Sequence, residues 1–218
     1  MNKDILSAFN FRHACKIFDK DKKIQESDFN TILESARLSP SSFGFEPWRF
    51  VVLEDENIKK KILPLVWGAQ NSLLTASKYV IILARHGKDL LYNSDYISHM
   101  LYDVHKIPKE KAEARREKYR HFQESDFKLT QNDRAMYDWA SKQCYIALGN
   151  MMSVAAMLKI DSCAIEGFNL EELDFELSKE LGYNREEFKL CVMVAFGYRL
   201  NEQPIKTRQK LEDIVEYI

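Results

Sequence analysis

Positively charged side chains near both ends of the chain are the first residues whose type and spacing could do chemistry. Arg12 and Lys16 are four residues apart, so they share a face if that turn is helical. Lys206 and Arg208 are two residues apart, so they share a face if the tail is extended. If the two pairs converge, three or four cations surround one anion, and the guanidinium fork matches a phosphate. The pattern therefore indicates an anion site built from both ends of the chain.

Two short segments between those ends supply groups that suit a flat, polar ligand. Ser41 and Ser42, which follow Pro40, offer hydroxyl donors with little bulk. Gly167 has no Cβ, so its backbone can lie directly against a planar ring. Taken alone, the serines indicate only a turn, and a single Arg or Lys is usually a solvated surface residue. The combination is what indicates a binding site.

Two common kinds of site are not indicated. No G-x-G-x-x-G follows a predicted strand and no G-x-x-x-x-G-K-[ST] occurs, which argues against a Rossmann site and a P-loop. The five histidines form neither H-E-x-x-H nor a cluster with cysteine, which argues against a metal site. A nucleotide phosphate must then be held by side chains.

Composition narrows the class of protein. A length of 218 residues suits one domain spanning 1–218, and a hydrophobic fraction of 45% suits a globular core. With 32 basic and 33 acidic residues there is no basic excess, which argues against nucleic-acid and membrane-surface partners. The longest nearly apolar stretch, 144–158, is too short to span a bilayer. The N-terminus lacks a signal-peptide core and the cysteines form no C-x-x-C pair, so we expect a cytoplasmic protein with reduced thiols.

Apolar periodicity predicts the elements that must position these residues. An i, i+3, i+4, i+7 stripe predicts a helix over Ser27–Leu38, which Pro40 ends. Short runs rich in Val and Ile, apolar on both faces, predict strands of a sheet that helices cover on both sides. The predicted strands are Trp48–Leu53, Tyr79–Ala84 and Leu190–Phe196, and the other predicted helices are Asp95–His105, Pro108–His121, Arg134–Lys159 and Asn169–Leu181. Their order predicts an α+β, or mixed α/β, chain with a small central sheet.

Two of the predicted helices carry further expectations. The second half of Arg134–Lys159 is apolar almost all round, so it must be buried on every side, which a subunit interface provides more readily than a monomer. The charged helix Pro108–His121 is expected to be a solvated helix with weak ion pairs. The alternative is a mobile flap over a pocket that uses Tyr119 or Phe122.

Together and in this order, the segments resemble the nitroreductase family of flavoproteins, of the oxygen-insensitive bacterial type. The resemblance extends from Arg12 to Arg208. It is carried by an R-H-x-x-K-x-F-D opening, a P-S-S-x-x-x-x-P-W element, a W-x-x-K-Q start to the long helix, an I-E-G-F turn and a K-x-R tail. It implies a nitroreductase-like fold with a mainly antiparallel central sheet and the long helix at a homodimer interface.

The resemblance implies FMN as the cofactor and NAD(P)H as the co-substrate. Arg12, Lys206 and Arg208 would hold the FMN phosphate. Lys16 would reach the pyrimidine edge of the ring, where a cation favours the negative charge of the reduced flavin.

Other residues would line the same flavin. Residues 40–42 would come from the other subunit, and the backbone of Glu166 and Gly167 would face the reactive nitrogen. The full set of implied FMN contacts is Arg12, His13, Ala14, Lys16, Pro40, Ser41, Ser42, Gly44, Asn71, Ile165, Glu166, Gly167, Lys206 and Arg208.

The implied reaction is a ping-pong transfer of hydride from NAD(P)H through the flavin to a nitroaromatic, nitroheterocyclic or quinone acceptor. The flavin does the chemistry, so no side chain is assigned as a general acid. The aromatic residues expected to contact the acceptor are Phe43, Tyr119 and Phe122. Two alternatives stay open: a flavin reductase, dehalogenase or oxidase of the same fold, and a non-catalytic flavin-binding protein.

The chain also departs from the family pattern. One lost neutral hydrogen bond is worth about 0.5–1.5 kcal/mol net, so no single departure should abolish flavin binding. If the register shifts, Gln70 or Asn71 would replace the missing ring contacts. The departures are Ala14 for Ser, Gly44 for Asn, Ala164 for Pro, and Ala69 and Ser72 for the Asn and Lys that many relatives direct at the ring.

Overall fold

Four antiparallel strands form the central sheet of the computed structural model, which describes residues 3–218 and the side chains from residue 5 onward. The strands are β1 (Trp48–Val52), β2 (Lys78–Arg85), β3 (Asp161–Ile165) and β4 (Phe188–Gly197). Their order is β1-β2-β4-β3, and every neighbouring pair is antiparallel. The predicted small, mainly antiparallel sheet is confirmed.

Helices surround this sheet. They are α1 (Lys3–Phe11), α2 (Glu26–Arg37), α3 (Glu56–Ile62), α4 (Ser72–Thr75), α5 (Asp95–His99), α6 (Lys109–His121), α7 (Asp133–Met157) and α8 (Leu170–Leu181). The sequence predicts α2, α6, α7 and α8 to within two residues at each end. The predicted helix Asp95–His105 is α-helical only to His99 and then continues as a π-helical turn, Met100–Val104.

The sheet buries apolar side chains on both faces, as the sequence predicts. In β2, Val80 and Ile82 belong to a core with α2 and α7, whereas Ile81 and Leu83 belong to a second core with α3 and α8. Successive strand residues point to opposite faces, so a strand that is apolar at every position serves both cores. Each fully buried aliphatic side chain stabilises the fold by about 1.5–3 kcal/mol.

The sequence predicts no strand at β3, and there the structure corrects it. The strand is five residues long and begins with two polar residues, Asp161 and Ser162, so it lacks an apolar run. Pairing with β4 defines it, from Asp161 opposite Gly197 to Ile165 opposite Met193. Because β3 ends at Ile165, the following turn at Glu166 begins from a fixed sheet edge instead of a free loop.

Helix α7 is the longest helix of the described chain, with 25 residues. It packs on the sheet and on α2, but Tyr145, Ile146 and Met157 are 39%, 42% and 51% exposed. Burial on every side is therefore not reached within one chain. No helix of the described chain is long and apolar enough to cross a membrane.

All four cysteines are buried and unpaired, which gives a first testable prediction. Burial raises the pKa of the Cys15 thiol to about 12 and raises the pKa of Cys163 as well. Cys144 lowers the pKa of the Cys191 thiol, so for that residue burial alone limits the reaction. Since a buried sulfur cannot meet the reagent and the thiolate is the reactive form, we expect Ellman's reagent to leave the native protein unlabelled at pH 8. All four thiols should react once guanidinium unfolds it. Rapid labelling of a thiol in the native protein would contradict this packing.

Candidate functional site

Segment 12–16 runs beside strand β3 and is not helical. Ala14 forms a parallel β-bridge with Ser162, and the Cys15 N–H donates to the Ser162 carbonyl at 3.1 Å. Cys15 is buried, whereas Ala14 and Lys16 are exposed and Arg12 is half-buried. Side chains alternate between two faces along an extended segment, so Arg12 and Lys16 lie on the same face. The sequence predicts a shared face from a helical turn, which is not what the structure has.

An ion pair between Arg199 and the buried carboxylate of Asp161 fixes the start of this segment. The Arg199 guanidinium donates to both carboxylate oxygens of Asp161 at 2.7–3.0 Å, and the Arg199 backbone N–H donates to the same carboxylate at 2.9 Å. The guanidinium also donates to the Phe11 carbonyl at 3.2 Å and lies 4.2 Å from the centre of the Phe11 ring. Phe11 immediately precedes Arg12, so the pair sets where the segment leaves α1. No sequence pattern links Asp161 with Arg199, so this ion pair could not be predicted.

Three cations from opposite ends of the chain converge beyond that point. The Lys206 ammonium donates to the carbonyls of Phe9, at 2.5 Å, and of Arg12, so one of its three N–H donors is left over. Burial lowers the pKa of Lys206, and the nearby charges of Arg12 and Arg208 lower it further. Among the described side chains, no carboxylate forms an ion pair with any of these three cations. The cluster therefore carries positive charge that an anion would neutralise.

The three cations line a cavity of about 490 Å³. His13 lines it too, and burial lowers the pKa of its imidazole, which favours the neutral ring. The His13 Nδ1 atom donates to the Phe11 carbonyl at 3.2 Å, so in the neutral ring Nε2 is an acceptor. Nε2 is buried and has no partner within the protein. The cavity thus suits a ligand with an anionic end and a hydroxyl that can donate to Nε2.

A second cavity, of about 320 Å³, lies farther along the segment at Lys16. Its other wall is residues 67–72, and the Lys16 ammonium lies 3.5 Å from the Cys163 sulfur. The hydroxyl of Ser72 is buried there without a hydrogen-bond partner. The Gln70 amide is already used, since it donates to the carbonyls of Leu63 and Val66 at 2.9 and 2.8 Å.

The Asn71 side chain is the remaining amide on this wall. It is exposed, and the structure places it beside Lys16 with Ala69 and Ser72 as further lining residues. Of the two amides that the sequence offers as replacements for ring contacts, Asn71 can therefore donate to a ligand, whereas both N–H donors of Gln70 are already used.

Two glycines hold the turn after β3 against this wall. The Gly68 N–H donates to the Gly167 carbonyl at 2.8 Å. A Cβ on Gly167 would lie 2.5 Å from the Gly68 Cα, and a Cβ on Gly68 would lie 2.8 Å from the Gly167 Cα. Neither position can accept a side chain without moving backbone, so the contact fixes the Glu166–Gly167 peptide. The Glu166 carboxylate accepts a hydrogen bond from the Tyr145 hydroxyl, and Ile165 is buried at the end of β3.

The loop after Pro40 is held by a different part of the chain. Phe43 and Gly44 have φ values of +57° and +70°, which the strained loop keeps because its carbonyls are bonded. Arg115 donates to the Phe43 carbonyl at 2.5 Å, and His105 donates to the Gly44 carbonyl at 3.0 Å. A Cβ on Gly44 would lie 3.2 Å from the His105 ring. The His105 ring leaves little room for a side chain at position 44, whereas the positive φ by itself is one that Asn tolerates.

The serines of that loop lie away from both cavities. The Ser41 hydroxyl accepts from the Glu46 N–H at 2.9 Å, and the Ser42 N–H donates to the Gln143 side chain on α7 at 2.9 Å. Pro40 is exposed. None of residues 40–44 lines either cavity. A single chain therefore brings together the three cations, Lys16, Asn71 and the Gly167 turn. It does not bring residues 40–44 to them.

The structure corrects the prediction for Tyr119. Its side chain is fully buried and its hydroxyl donates to the Leu90 carbonyl at 3.0 Å, so it cannot touch an acceptor. It packs against Phe43, Phe45 and Phe122, with ring centres 4.7–6.3 Å apart. Phe43 and Phe122 are half-buried members of the same aromatic cluster and line neither cavity.

The comparison with known proteins decides the family. The model of the Nitroreductase family matches residues 10–198. The chain belongs to the nitroreductase family. It is 51% identical over its whole length to a protein of Staphylococcus haemolyticus (strain JCSC1435), 99% of which is covered. It is 49% identical, over 98% of its length and 97% of the relative, to YfkO of Bacillus subtilis (strain 168). Both relatives are named "Putative NAD(P)H nitroreductase".

Solved structures of the nitroreductase fold agree with this one. A nitroreductase-like protein from Streptococcus mutans superposes with a TM-score of 0.80 at 20% identity, covering 100% of both chains. A "putative nitroreductase in complex with FMN" from Exiguobacterium sibiricum 255-15 superposes with a TM-score of 0.76 at 20% identity, covering 98% of this chain and 97% of the other. At this identity the likeness establishes the fold.

Inorganic phosphate should stabilise the protein, because an anion relieves the repulsion among the three cations. We expect the thermal midpoint to rise with phosphate at constant ionic strength. In Arg208→Gln the apparent dissociation constant for phosphate should rise about tenfold, since a charge-assisted bond at an exposed site is lost. The phosphate effect should weaken as the pH rises through the lowered pKa of Lys206, where the amine loses its charge.

Two controls accompany this measurement. Chloride at the same ionic strength should not reproduce the shift. Arg134→Gln removes an exposed arginine that is paired with Asp138 and lines neither cavity, so it should respond to phosphate like the wild type. An equal phosphate response in Arg208→Gln and the wild type would show that the cations do not form an anion site.

Proposed function

We propose that the chain is an FMN-dependent oxidoreductase that passes hydride from NAD(P)H to a small nitro or quinone acceptor. The names of its relatives at about 50% identity support the donor, and the FMN complex of a structural neighbour supports the cofactor. The observation that carries the proposal is the layout of segment 12–16. It joins a cavity lined by three cations to a cavity lined by Lys16 and residues 67–72.

The side chains of these cavities fit FMN from one end to the other. Arg12, Lys206 and Arg208 would hold the phosphate, which supplies the negative charge that the cluster lacks. A ribityl hydroxyl would donate to the unpartnered Nε2 of His13. Lys16 would lie at the pyrimidine edge of the ring, and the backbone of Gly167 would face it. When bound, FMN supplies a ring that accepts hydride from NAD(P)H and passes it to the acceptor.

The protein's own contribution is position and charge. The Lys16 ammonium would stabilise negative charge at the edge of a bound flavin ring, and Cys163 orients that ammonium by accepting its hydrogen bond at 3.5 Å. The Gly68–Gly167 contact keeps the turn in place while ligands exchange, which lowers the entropy cost of a productive encounter. NAD(P)H and the acceptor would occupy the same open site in turn, and that gives ping-pong kinetics.

A second copy of this chain would complete the site. The loop from Pro40 to Gly44 is held in a strained conformation, yet it lines neither cavity of its own chain. Beside it, α7 presents Tyr145 and Ile146 to solvent, and α1 presents Phe9, which is 49% exposed. We infer that two copies pair through this apolar face, and that each brings its loop to the other's flavin. The apolar tail side chains after residue 203 would be covered in the same dimer.

We also propose that the reaction takes place in the cytoplasm, since four free, buried thiols suit a reducing compartment. The cation cluster favours a flavin enzyme over a protein that keeps only the fold, because repelling charges are costly unless a ligand uses them. Nothing in the two cavities favours a flavin reductase, a dehalogenase or an oxidase over the nitro or quinone reductase.

The direct test is an absorption spectrum of the protein reconstituted with FMN. We expect flavin bands that bleach under anaerobic conditions with NADPH or NADH and recover when a nitroaromatic compound or a quinone is added. Protein that takes up no FMN would overturn the proposal. Protein that binds FMN but is bleached by neither nucleotide would instead be the non-catalytic flavin-binding protein.

The dimer has a separate test. Ile146→Glu places a charge on the exposed apolar face of α7, where burial of an unpaired charge costs several kcal/mol. We expect light scattering to give the mass of a monomer, and the variant should lose FMN on gel filtration because the partner's loop is missing. Phe175→Glu changes an exposed aromatic residue of α8 and should remain a flavin-loaded dimer. A flavin-loaded dimer of Ile146→Glu would place the interface elsewhere.

A further inference from the structure

Trp67 is the most exposed tryptophan of the chain. Its side chain is 74% exposed, whereas Trp139 is buried and Trp48 is half-buried. One exposed aromatic side chain is not unusual in itself, so the meaning of this one depends on how firmly it is held and on what lies beside it. The roles proposed above for Lys16 and the Gly167 turn leave Trp67 without a function.

The backbone that carries this indole is fixed. Trp67 begins a 3-10 turn, Trp67–Ala69, whose neighbours Val66 and Ala69 are buried. The Ala69 N–H donates to the Val66 carbonyl at 3.2 Å, and the Gly68 N–H donates to the Gly167 carbonyl at 2.8 Å. The exposure of the indole is therefore a property of a well-anchored turn and not of a loose loop.

The position of the indole relates it to the candidate site. The Trp67 Cε3 atom lies 3.0 Å from where a Cβ on Gly167 would be, so the ring lies along the Gly167 backbone. The same indole lines the 320 Å³ cavity together with Lys16 and Asn71. Trp67 is thus in contact with one of the two groups proposed to flank the flavin ring and shares a cavity with the other.

The chemistry of an indole limits what it can select. Its face is flat, apolar and electron-rich, and it stacks best on a planar ring, above all an electron-poor one. Nitroaromatic compounds, quinones and the oxidised nicotinamide ring all have this character. A compact, charged, non-planar oxidant such as ferricyanide gains nothing from such a face.

We propose that Trp67 is a specificity-determining residue, whose indole is the platform on which a planar aromatic acceptor stacks beside Gly167. The inference rests on the proposed function, because the reaction at the flavin gives the acceptor its place. It adds an aromatic contact from the same chain to those that the sequence predicts at Phe43 and Phe122, which line neither cavity of their own chain and would reach the acceptor only from the partner copy. Trp67 acts by binding the acceptor's ring and takes no part in moving electrons or protons.

The first experiment measures acceptor binding without turnover. FMN-loaded wild type, Trp67→Phe and Trp67→Leu are titrated with 4-nitrobenzoate in the absence of NAD(P)H, and the perturbation of the flavin absorption gives the dissociation constant. We expect Trp67→Leu to raise it about threefold to tenfold, the range of an aromatic stacking contact, and Trp67→Phe to raise it less. Phe175→Leu, an exposed aromatic residue of α8 outside the cavity, should match the wild type.

Steady-state kinetics distinguish the loss of a stacking contact with the acceptor from a general loss of activity. With Trp67→Leu, kcat/KM for nitroaromatic and quinone acceptors should fall about threefold to tenfold, and it should fall by much less for ferricyanide, which cannot stack on the indole. Unchanged binding of 4-nitrobenzoate by flavin-loaded Trp67→Leu would overturn the inference and leave the proposed function intact. Wild-type protein that takes up no FMN would overturn both.

Fluorescence and mass give an independent readout. Iodide should quench the Trp67 emission of the FMN-free protein, and this accessible fraction should fall when FMN and then 4-nitrobenzoate are added. Trp67→Phe should lack the accessible fraction from the start. If Trp67→Leu instead changes a dimer into a monomer, Trp67 is an interface residue and the inference is wrong.

Discussion

The ion pair between the buried Asp161 carboxylate and Arg199 is the interaction on which the candidate site depends. Asp161 begins β3 and Arg199 follows β4, so the pair joins the two strands at the end where β3 starts. The Arg199 guanidinium also donates to the Phe11 carbonyl. A buried carboxylate is tolerated only when it is paired and hydrogen-bonded, and here side-chain and backbone donors both reach it. The segment toward Lys16, the strand toward Gly167 and the tail toward Lys206 therefore all leave from one fixed region.

The neighbouring cation cluster differs from this ion pair because its charges are not neutralised within the chain. Asp161 is neutralised within the chain, whereas Arg12, Lys206 and Arg208 have no carboxylate partner among the described side chains. Their repulsion is a cost in the free protein that a bound anion relieves, so the same charges that weaken the empty fold favour the loaded one. Charge therefore couples folding to ligand binding at the cation cluster. At the other cavity, folding fixes the position of the Gly167 turn through the close Gly68–Gly167 contact.

Much of the framework could be predicted because it depends on local pattern. The apolar stripes of α2 and α8 and the Val- and Ile-rich runs of β2 and β4 carry their own periodicity, which survives in any packing. Strand β3 could not be predicted in this way, since its hydrogen bonds to β4, and not its composition, make it a strand. Tyr119 was expected to contact the acceptor if its helix is a flap over a pocket. Its own position, however, points into an aromatic cluster that only the packing of α6 reveals.

The sequence by itself determined the family, the α+β class and the set of cations, because these depend on residue types in a fixed order. Tertiary structure decided which groups meet. Segment 12–16 reaches the cavities by lying along β3. The NH2 group of Gln70 donates to backbone carbonyls near its own turn, and Trp67 is exposed beside Gly167. The physical reason is that hydrogen bonding across an edge strand and close contact between two glycine backbones join residues roughly 100 or more positions apart, a separation that no local propensity records.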